Sequence, residues 1–324
     1  MPKLLEVKNL HVEFYTQEGV VCAVNGVDFG VERGETLGIV GESGCGKTVT
    51  ALSVLQLIPS RAGKITEGEI WFNGENLLEK NEKEMCAIRG SKISMMFQDP
   101  MTSLNPAFTI GFQLTESIHL HQHSSKAKAR QTAIEMLRLV GIPSPEQRFN
   151  EYPHQLSGGM CQRVMIAIAL SSDADLLIAD EPTTALDVTI QAQILELMQE
   201  IKKKLHTSII LITHDLGVVA GMCDRVAIMY AGKIVENGEL HGIFEQPLHP
   251  YTRGLLDSIP RLDKETDKLH VIRGMVPSLT DMPKGCSFCP RCDYALPICA
   301  QQVPDMLQMD DRAVRCWLYA ERKK

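Results

Sequence analysis

Hydrophobic and polar positions alternate in some parts of the chain and form continuous apolar runs in others. Within the first ninety or so residues, LLEVKNLHVEF roughly alternates, and ETLGIVGESG is an apolar run that ends in glycines. Alternation is typical of a half-buried strand, and a short continuous run is typical of a fully buried strand. We therefore predict strands in this part, with a helix that begins directly after the glycines.

Helical periodicity dominates from about Asp99 to Leu170. In AKARQTAIEMLRLVG the apolar residues recur at helical spacing, and Gly141 ends the pattern. Two continuous apolar runs follow, ADLLIADEP and TSIILITHD, and a helical stripe separates them. That stripe consists of Ile190, Ile194, Leu197, Met198 and Ile201. A strand, a helix and another strand in this order predict a βαβ crossover, and hence an α/β fold with a mainly parallel sheet.

Composition is that of an ordinary globular protein, with 44% hydrophobic, 23% charged and 5% aromatic residues. A length of 324 residues predicts more than one structural unit. The net charge of -7 and the short basic runs argue against sequence-independent nucleic-acid binding. The N-terminus carries charges where a signal peptide is apolar, and no apolar run approaches the roughly 18 residues of a membrane span. We expect a cytoplasmic protein.

The segment GESGCGKT, residues 41–48, has the spacing of a phosphate-binding loop. It fits G-x-x-x-x-G-K-S/T and stands between a predicted strand and a predicted helix, as such a loop requires. Glycines let backbone N–H groups face the phosphates, Lys47 would reach the β and γ phosphates, and Thr48 would bind magnesium. A chance glycine-rich turn is the alternative. The predicted nucleotide contacts are Gly41, Ser43, Gly44, Cys45, Gly46, Lys47, Thr48 and Thr50.

Cys45 lies inside this loop, beside Lys47 and the N-terminus of the predicted helix. Both neighbours favour a thiolate, so we expect the pKa of Cys45 to be lowered. Alkylation of Cys45 is therefore predicted to block ATP binding.

Two carboxylates end the next buried strand. In LLIADE, Asp180 stands at the C-terminal end of the strand, where it can hold magnesium, and Glu181 follows it. Glu181 is the predicted general base that polarises the attacking water. His214 ends the following strand, in LITHD, and we expect it to reach the γ phosphate. A purely structural role is the alternative for this histidine.

Between these motifs stands LSGGM, residues 156–160, and with it the chain resembles the ATP-binding-cassette family. The phosphate loop, Gln98 in MMFQDP, LSGG, IADEP, ALD at 185–187 and His214 occur in the order of that family. The resemblance covers residues 3 to about 240. It implies a P-loop cassette core with a helical insert, and two cassettes that sandwich two ATP molecules head to tail. It also implies that Gln98 contacts magnesium and the γ phosphate, and that nucleotide contacts come from Ser157, Gly158, Gly159 and Asp187.

The family also stacks adenine on an aromatic side chain in an early strand. Phe14 falls at the expected position, and Tyr15 is next to it. Stacking needs only the face of an aromatic ring, so either residue could serve. We favour Phe14, with a role in the core as its alternative.

FQDPMTSLNP at 97–106 and PLHPYTRGLL at 247–256 resemble one subfamily, the ATPase subunits of bacterial dipeptide and oligopeptide importers. Within that group, Met160 in the signature and the cysteine-rich tail resemble the "D"-type subunit. This resemblance implies ATP hydrolysis coupled to peptide import at the cytoplasmic face of the inner membrane. The implied partners are a related "F"-type ATPase subunit, two transmembrane permease subunits and an extracytoplasmic peptide-binding protein. A homodimer is an alternative to the ATPase heterodimer.

Other functions are weighed against this interpretation. Nickel or another small solute is the competing cargo, since nickel importers share much of the pattern. A soluble cassette ATPase that acts on DNA or ribosomes usually carries two cassettes or a coiled-coil insert, and neither is present. A P-loop kinase would leave the signature and His214 unexplained.

Five cysteines crowd the C-terminal segment: Cys286, Cys289, Cys292, Cys299 and Cys316. A reducing compartment disfavours disulfides, so a metal site is the better explanation. Four thiolates suit zinc or an iron–sulfur cluster, and their spacing does not choose between them. The subfamily resemblance implies a four-iron, four-sulfur cluster (4Fe–4S) on all of these except Cys289, which is a possible alternative ligand. Zinc and no metal stay open.

Four segments follow from these patterns. Residues 1–98 form the nucleotide-binding core with the phosphate loop and Gln98, and residues 99–171 form a helical subdomain with the signature. The core continues over 172–245. Prolines become frequent and regular periodicity fades beyond Gln246, so we predict a small, irregular, metal-binding domain at 246–324.

Overall fold

The computed structural model describes residues 3–17, 19–122, 124–184, 187–259 and 271–323. The strands in these ranges are β1 (Leu5–Thr16), β2 (Gly19–Val31), β3 (Thr36–Val40), β4 (Gly63–Phe72), β5 (Glu75–Asn76), β6 (Ile93–Met96), β7 (Leu176–Asp180), β8 (Ser208–Thr213), β9 (Arg225–Tyr230), β10 (Lys233–Glu239), β11 (Leu307–Met309) and β12 (Arg312–Val314). The α-helices are α1 (Lys47–Val54), α2 (Glu82–Ile88), α3 (Pro100–Ser103), α4 (Ile110–Gln122), α5 (Lys126–Leu139), α6 (Pro145–Arg148), α7 (Gly158–Leu170), α8 (Val188–Leu205), α9 (Leu216–Met222), α10 (Leu240–Glu245) and α11 (Pro250–Asp257).

Two units are distinguished by the contacts within them. The first contains residues 1–31, 36–78 and 213–324, and the second contains residues 32–35 and 79–212. The first unit therefore holds both the phosphate loop and the cysteine-rich segment, and the second holds the signature and the paired carboxylates. Across the described ranges, no helix has both the length and the apolar character needed to span a membrane.

The first unit contains an antiparallel sheet in the order β2-β1-β4-β5. The alternation that predicted β1 is seen in its burial, since Leu5, Val7, Leu10 and Val12 are almost completely buried. A second set of strands runs β11-β12-β10-β9-β3. Within it β3 is parallel to β9, and β10 is antiparallel to both β9 and β12. All five residues of β3 are buried, as its continuous apolar run predicted.

The second unit contains the predicted βαβ crossover. Strands β6, β7 and β8 are parallel, with Ile93 opposite Leu176 and Leu176 opposite Ser208. The connecting helix α8 buries Ile194, Leu197, Met198 and Ile201, which confirms most of the predicted stripe. The continuous apolar runs form β7 and β8, and every residue of both strands is buried.

Helix α5 of the second unit begins and ends where the sequence provides caps. Ser125 accepts a hydrogen bond from the backbone N–H of Lys128 at the start of α5, and Gly141 follows the end of that helix with a φ of 73°. A left-handed residue after a helix is a common stop signal. Helix α7 is buried over most of its length and contacts α3, α4, α5 and β6. This arrangement agrees with the predicted helical insert.

The C-terminal part of the chain contributes strands to the sheet of the first unit. A separate irregular domain is not confirmed, because β12 pairs with β10, placing Val314 opposite Glu236. Leu307, Val314, Cys316 and Tyr319 form a small buried cluster beside these strands. Two strands of three residues each are too short to show a periodic pattern, so they could not be predicted from the sequence.

Candidate functional site

The phosphate loop curls between β3 and α1 in the conformation that its glycines permit. Gly46 has a φ of 104°, and a Cβ atom at this position would lie 2.5 Å from the carbonyl oxygen of Ala23. Only glycine accommodates both the left-handed backbone and this close approach. The side chains of Ser43 and Thr48 are exposed, and Gly44 is also exposed. Backbone N–H groups at the N-terminus of α1 are therefore available to an anion.

Lys47 is held by the loop that it follows. Its side chain is buried, and Nζ donates to the carbonyl oxygens of Gly41 at 2.7 Å and Glu42 at 3.1 Å. These contacts fix the ammonium group within the curl of the loop. Thr50, also predicted to contact nucleotide, is buried, and its hydroxyl donates to the carbonyl oxygen of Gly46 at 2.9 Å. The Thr50 side chain therefore stabilises the first turn of α1.

The expected pKa of Cys45 is wrong in direction. Cys45 is fully buried, and burial raises the pKa of its thiol. The positive charge of Lys47 acts in the opposite direction but is the smaller effect. The helix N-terminus and Lys47 were visible in the sequence, whereas the burial of the thiol was not. A buried neutral thiol reacts slowly, because the thiolate is the nucleophile.

The two candidate adenine-stacking residues have different environments. Phe14 is partly buried in β1, opposite Gly63 of β4, whose ideal Cβ position lies 2.9 Å from the Phe14 ring. The absence of a side chain at Gly63 thus makes room for this ring. Tyr15 points to the other face of the strand and is 53% exposed. The choice between them stays a prediction.

His214 also lies in the first unit. It is exposed and directly precedes Asp215, the N-cap of α9. The Asp215 carboxylate accepts from the backbone N–H of Gly217 at 2.8 Å. The backbone N–H of Asp215 donates to the Thr213 hydroxyl at 3.0 Å. These bonds fix the backbone around His214 while its imidazole stays accessible.

The predicted catalytic carboxylates lie in the second unit. Asp180, the last residue of β7, is only 2% exposed, and Glu181 is 9% exposed. Glu181 has a φ of 48°, in the left-handed region that residues with side chains rarely adopt. Such strain is concentrated at functional sites. Its backbone N–H donates to the carbonyl oxygen of Ile212 at 2.8 Å, so β8 holds this turn in place.

The structure brings Gln98 and Glu181 together. The Gln98 amide donates to Oε2 of Glu181 at 2.9 Å, although 83 residues separate them. The hydroxyl of Thr184 donates to the same oxygen at 2.8 Å. Two donors on one carboxylate oxygen fix the orientation of the group. Thr184 was missed in the sequence, where its only signal was a hydroxyl three residues after the glutamate.

The signature LSGGM and the start of α8 both contain residues that cap helices. Ser157 is the N-cap of α7, and its hydroxyl accepts from the backbone N–H of Met160 at 3.4 Å. Ser157 and Gly158 are exposed, and Gly159 is partly buried, near Ile190. Asp187 is the N-cap of α8. Positions 185 and 186 of the predicted ALD motif lie outside the described residues.

The cysteines of the tail approach one another but do not form a recognised metal site. Among the residues that the structure describes, no group of three or more His, Cys, Asp or Glu is placed to hold a metal ion. The predicted iron–sulfur site and its zinc alternative therefore have no support from this geometry. All five thiols are free. Burial raises the pKa of Cys286 and of Cys316 to about 11 each, and the negative charges of neighbouring cysteines add to the shift.

The cysteine-rich segment contacts the phosphate loop, which the sequence did not predict. Arg291 donates to both carboxylate oxygens of Glu42, at 3.0 and 3.1 Å. The backbone N–H of Glu42 donates to the hydroxyl of Tyr251 in α11 at 3.0 Å. Phe288 packs against Tyr230 and Tyr251, with ring centroids 5.3 and 5.4 Å apart.

Comparison with known proteins agrees with these features. Residues 24–184 match the family described as ABC transporter, and residues 235–299 match the oligopeptide/dipeptide transporter C-terminal region. The chain is 53% identical to the oligopeptide transport ATP-binding protein AppD of Bacillus subtilis, over 99% of this chain and 98% of that protein. It is 54% identical to the dipeptide transport ATP-binding protein DppD of the same organism, over 99% of this chain and 96% of DppD.

A solved structure also matches the fold. It is the ATP-binding cassette MJ0796, a dimer in a post-hydrolysis state bound to ADP and phosphate. The TM-score is 0.66 at 27% identity, and the match covers 73% of this chain and 98% of that one.

Proposed function

The chain belongs to the ABC transporter family of ATP-hydrolysing subunits, and from this premise we propose that it powers the import of dipeptides and oligopeptides. The observation that carries the peptide assignment is the match over 99% of the chain to peptide transport proteins at 53–54% identity. The match at 235–299 to the peptide-transporter C-terminal region supports the same cargo.

We propose these roles for the site residues. Lys47 and the N–H groups of the loop bind the phosphates, and Asp180 and Thr48 provide oxygen ligands for magnesium. Glu181 polarises the attacking water, and the donors Gln98 and Thr184 orient its carboxylate. His214 contacts the γ phosphate, and Phe14 stacks on adenine.

The proposed partners follow from the same family membership. Ser157, Gly158, Gly159 and Asp187 would contact the nucleotide held by a second ATPase subunit. We propose that this second subunit is a related chain and that two permease subunits hold the pair at the cytoplasmic face of the membrane. An extracytoplasmic binding protein would deliver the peptide.

Uptake into reconstituted vesicles tests the cargo. The chain, its related ATPase subunit, its permease subunits and its binding protein would be placed in proteoliposomes, and ATP-dependent uptake of a labelled tripeptide and of nickel would be compared. We expect uptake of the tripeptide by the wild-type transporter and loss of this uptake with Glu181→Gln. Nickel uptake without peptide uptake would overturn the peptide assignment and leave the ATPase assignment intact.

For the tail we propose a four-iron, four-sulfur cluster on Cys286, Cys292, Cys299 and Cys316. Their chemistry fits the group, since none of the four thiols forms a disulfide. Burial raises the pKa of Cys316 most, and the other three cysteines lie near enough for their charges to add to this effect. The test is iron, acid-labile sulfide and zinc content of anaerobically purified protein. We expect about four irons per chain. A serine at any of these four positions should abolish iron binding, whereas Cys289→Ser should retain it. Zinc without sulfide would overturn the cluster.

A further inference from the structure

The connection between the cysteine-rich segment and the phosphate loop has a clear geometry. Arg291 belongs to a short 3₁₀ turn, Cys289–Arg291, so two of the clustered cysteines flank it. Its side chain is only 5% exposed, and that of its partner Glu42 is 30% exposed. Buried guanidinium groups are retained where their hydrogen bonds are satisfied, so this is more than an incidental surface pair.

Arg291 is fixed on several sides. Its Nε donates to the backbone carbonyl oxygen of Arg273 at 3.0 Å, and a terminal nitrogen lies 3.4 Å from the Tyr230 hydroxyl. The guanidinium group also lies 5.8 Å from the ring centroid of Tyr230 and 6.0 Å from that of Phe288. These contacts hold the planar group so that one terminal nitrogen, Nη1, faces both oxygens of the Glu42 carboxylate.

Glu42 in turn helps to hold Lys47, together with Gly41. Its carbonyl oxygen accepts a hydrogen bond from Lys47 Nζ at 3.1 Å, and its backbone N–H is bound by Tyr251. The carboxylate of Glu42 and its backbone are therefore held by the C-terminal part of the chain, while its carbonyl holds the phosphate-binding lysine. A shift of Glu42 would move that carbonyl and change the position of Lys47.

We propose that Arg291 is a positioning residue for ATP binding: through Glu42 it keeps the phosphate loop and Lys47 in the conformation that accepts the phosphates. The affinity for ATP thereby depends on the ordered structure of the cysteine-rich segment. This inference rests on the proposed assignment of the phosphate loop. It assigns to the tail a function in the nucleotide cycle that does not require the tail to bind a metal.

Equilibrium binding of a fluorescent ATP analogue to the full-length chain tests the proposal. Arg291→Gln is expected to raise the Kd about fivefold to tenfold, the effect of losing one charge-assisted contact. Arg291→Lys keeps the charge and should recover part of the affinity. The matched control is Arg253→Gln, because Arg253 bonds the Tyr319 hydroxyl and the Pro247 carbonyl instead of the loop.

Further variants separate the possible failures. Glu42→Gln removes the other partner of the ion pair and should weaken ATP binding to a similar extent. The proposal can therefore be tested even if Arg291→Gln does not fold. The double variant should bind like either single variant, because both remove the same contact. Lys47→Ala should abolish binding; if it does not, the loop assignment itself fails. The inference would be overturned if Lys47→Ala abolishes ATP binding while the Kd values of Arg291→Gln and Glu42→Gln both stay within about twofold of wild type.

Discussion

His249 makes the first unit sensitive to acid, and this can be measured. The imidazole is completely buried, and burial lowers its pKa from 6.5 to about 3, with a smaller effect from the charge of Arg253. Its Nδ1 accepts from the backbone N–H of Tyr251 at 3.0 Å and so caps α11. Folding therefore requires the neutral ring. The same helix holds the Tyr251 hydroxyl against the phosphate loop.

The size of the effect follows from the two pKa values. Above the unfolded value of 6.5 the contribution of His249 to stability is complete, and it is lost as the pH falls towards about 3. Between about pH 7 and pH 5 the unfolded chain binds a proton at His249 and the folded chain does not, which lowers the free energy of unfolding by about 2 kcal/mol. This figure is insensitive to the exact folded pKa, since any value well below 5 gives the same result.

Denaturant unfolding of wild type and His249→Asn at the two pH values provides the assay. Asparagine can still cap the helix, so the variant isolates the loss of the titrating ring. The His249 ring lies 5.7 Å from the Phe288 ring, centroid to centroid, so the variant should be less stable than wild type at neutral pH. On acidification its stability should drop about 2 kcal/mol less than that of wild type. The buried carboxylate of Glu236, which accepts from the His249 backbone N–H at 2.8 Å, is present in both proteins. Identical pH dependence of the two proteins would refute the reasoning, and His241→Asn provides an exposed-histidine control.

Three further outcomes are expected. Glu181→Gln should bind ATP normally yet lower the rate of hydrolysis at least about 100-fold, as loss of a general base does, and near-normal turnover would remove Glu181 from that role. Thr184→Val should lower kcat about tenfold with unchanged ATP affinity, because one of two donors to the Glu181 carboxylate is lost; a change in affinity alone would contradict this. Iodoacetamide should label the exposed thiol of Cys86 much faster than the buried thiol of Cys45, as mass spectrometry would show, and equal rates would contradict the burial of Cys45.

The sequence was informative wherever a signal lies within one element or one motif. The continuous run at β7, the stripe on α8 and the glycines of the phosphate loop each determine local structure, and each prediction agrees with the structure. The predicted partnership of Gln98 and Glu181 at one site rested on the family resemblance, and the structure adds the contact between them.

The sequence was uninformative where the outcome depends on packing between distant segments. The pKa of Cys45 follows its burial, which neighbouring residues do not reveal. Arg291 and Glu42 are 249 positions apart, and nothing in either local pattern indicates the pair. The strands β11 and β12 have three residues each, and the pairing of β12 with β10 is a tertiary property.

The pairing of β12 with β10 has a consequence for solubility. The backbone N–H of Arg315 donates to the carbonyl oxygen of Val235 at 2.8 Å, and Asn237 lies opposite Ala313. An unpaired edge strand offers its N–H and C=O groups to other chains and promotes aggregation. The tail places a short strand over this edge and leaves only the three residues of β11 at the end of the sheet. A chain truncated before Arg312 would leave Glu236 and Asn237 of β10 without their partner strand, and we expect such a chain to associate edge to edge more readily.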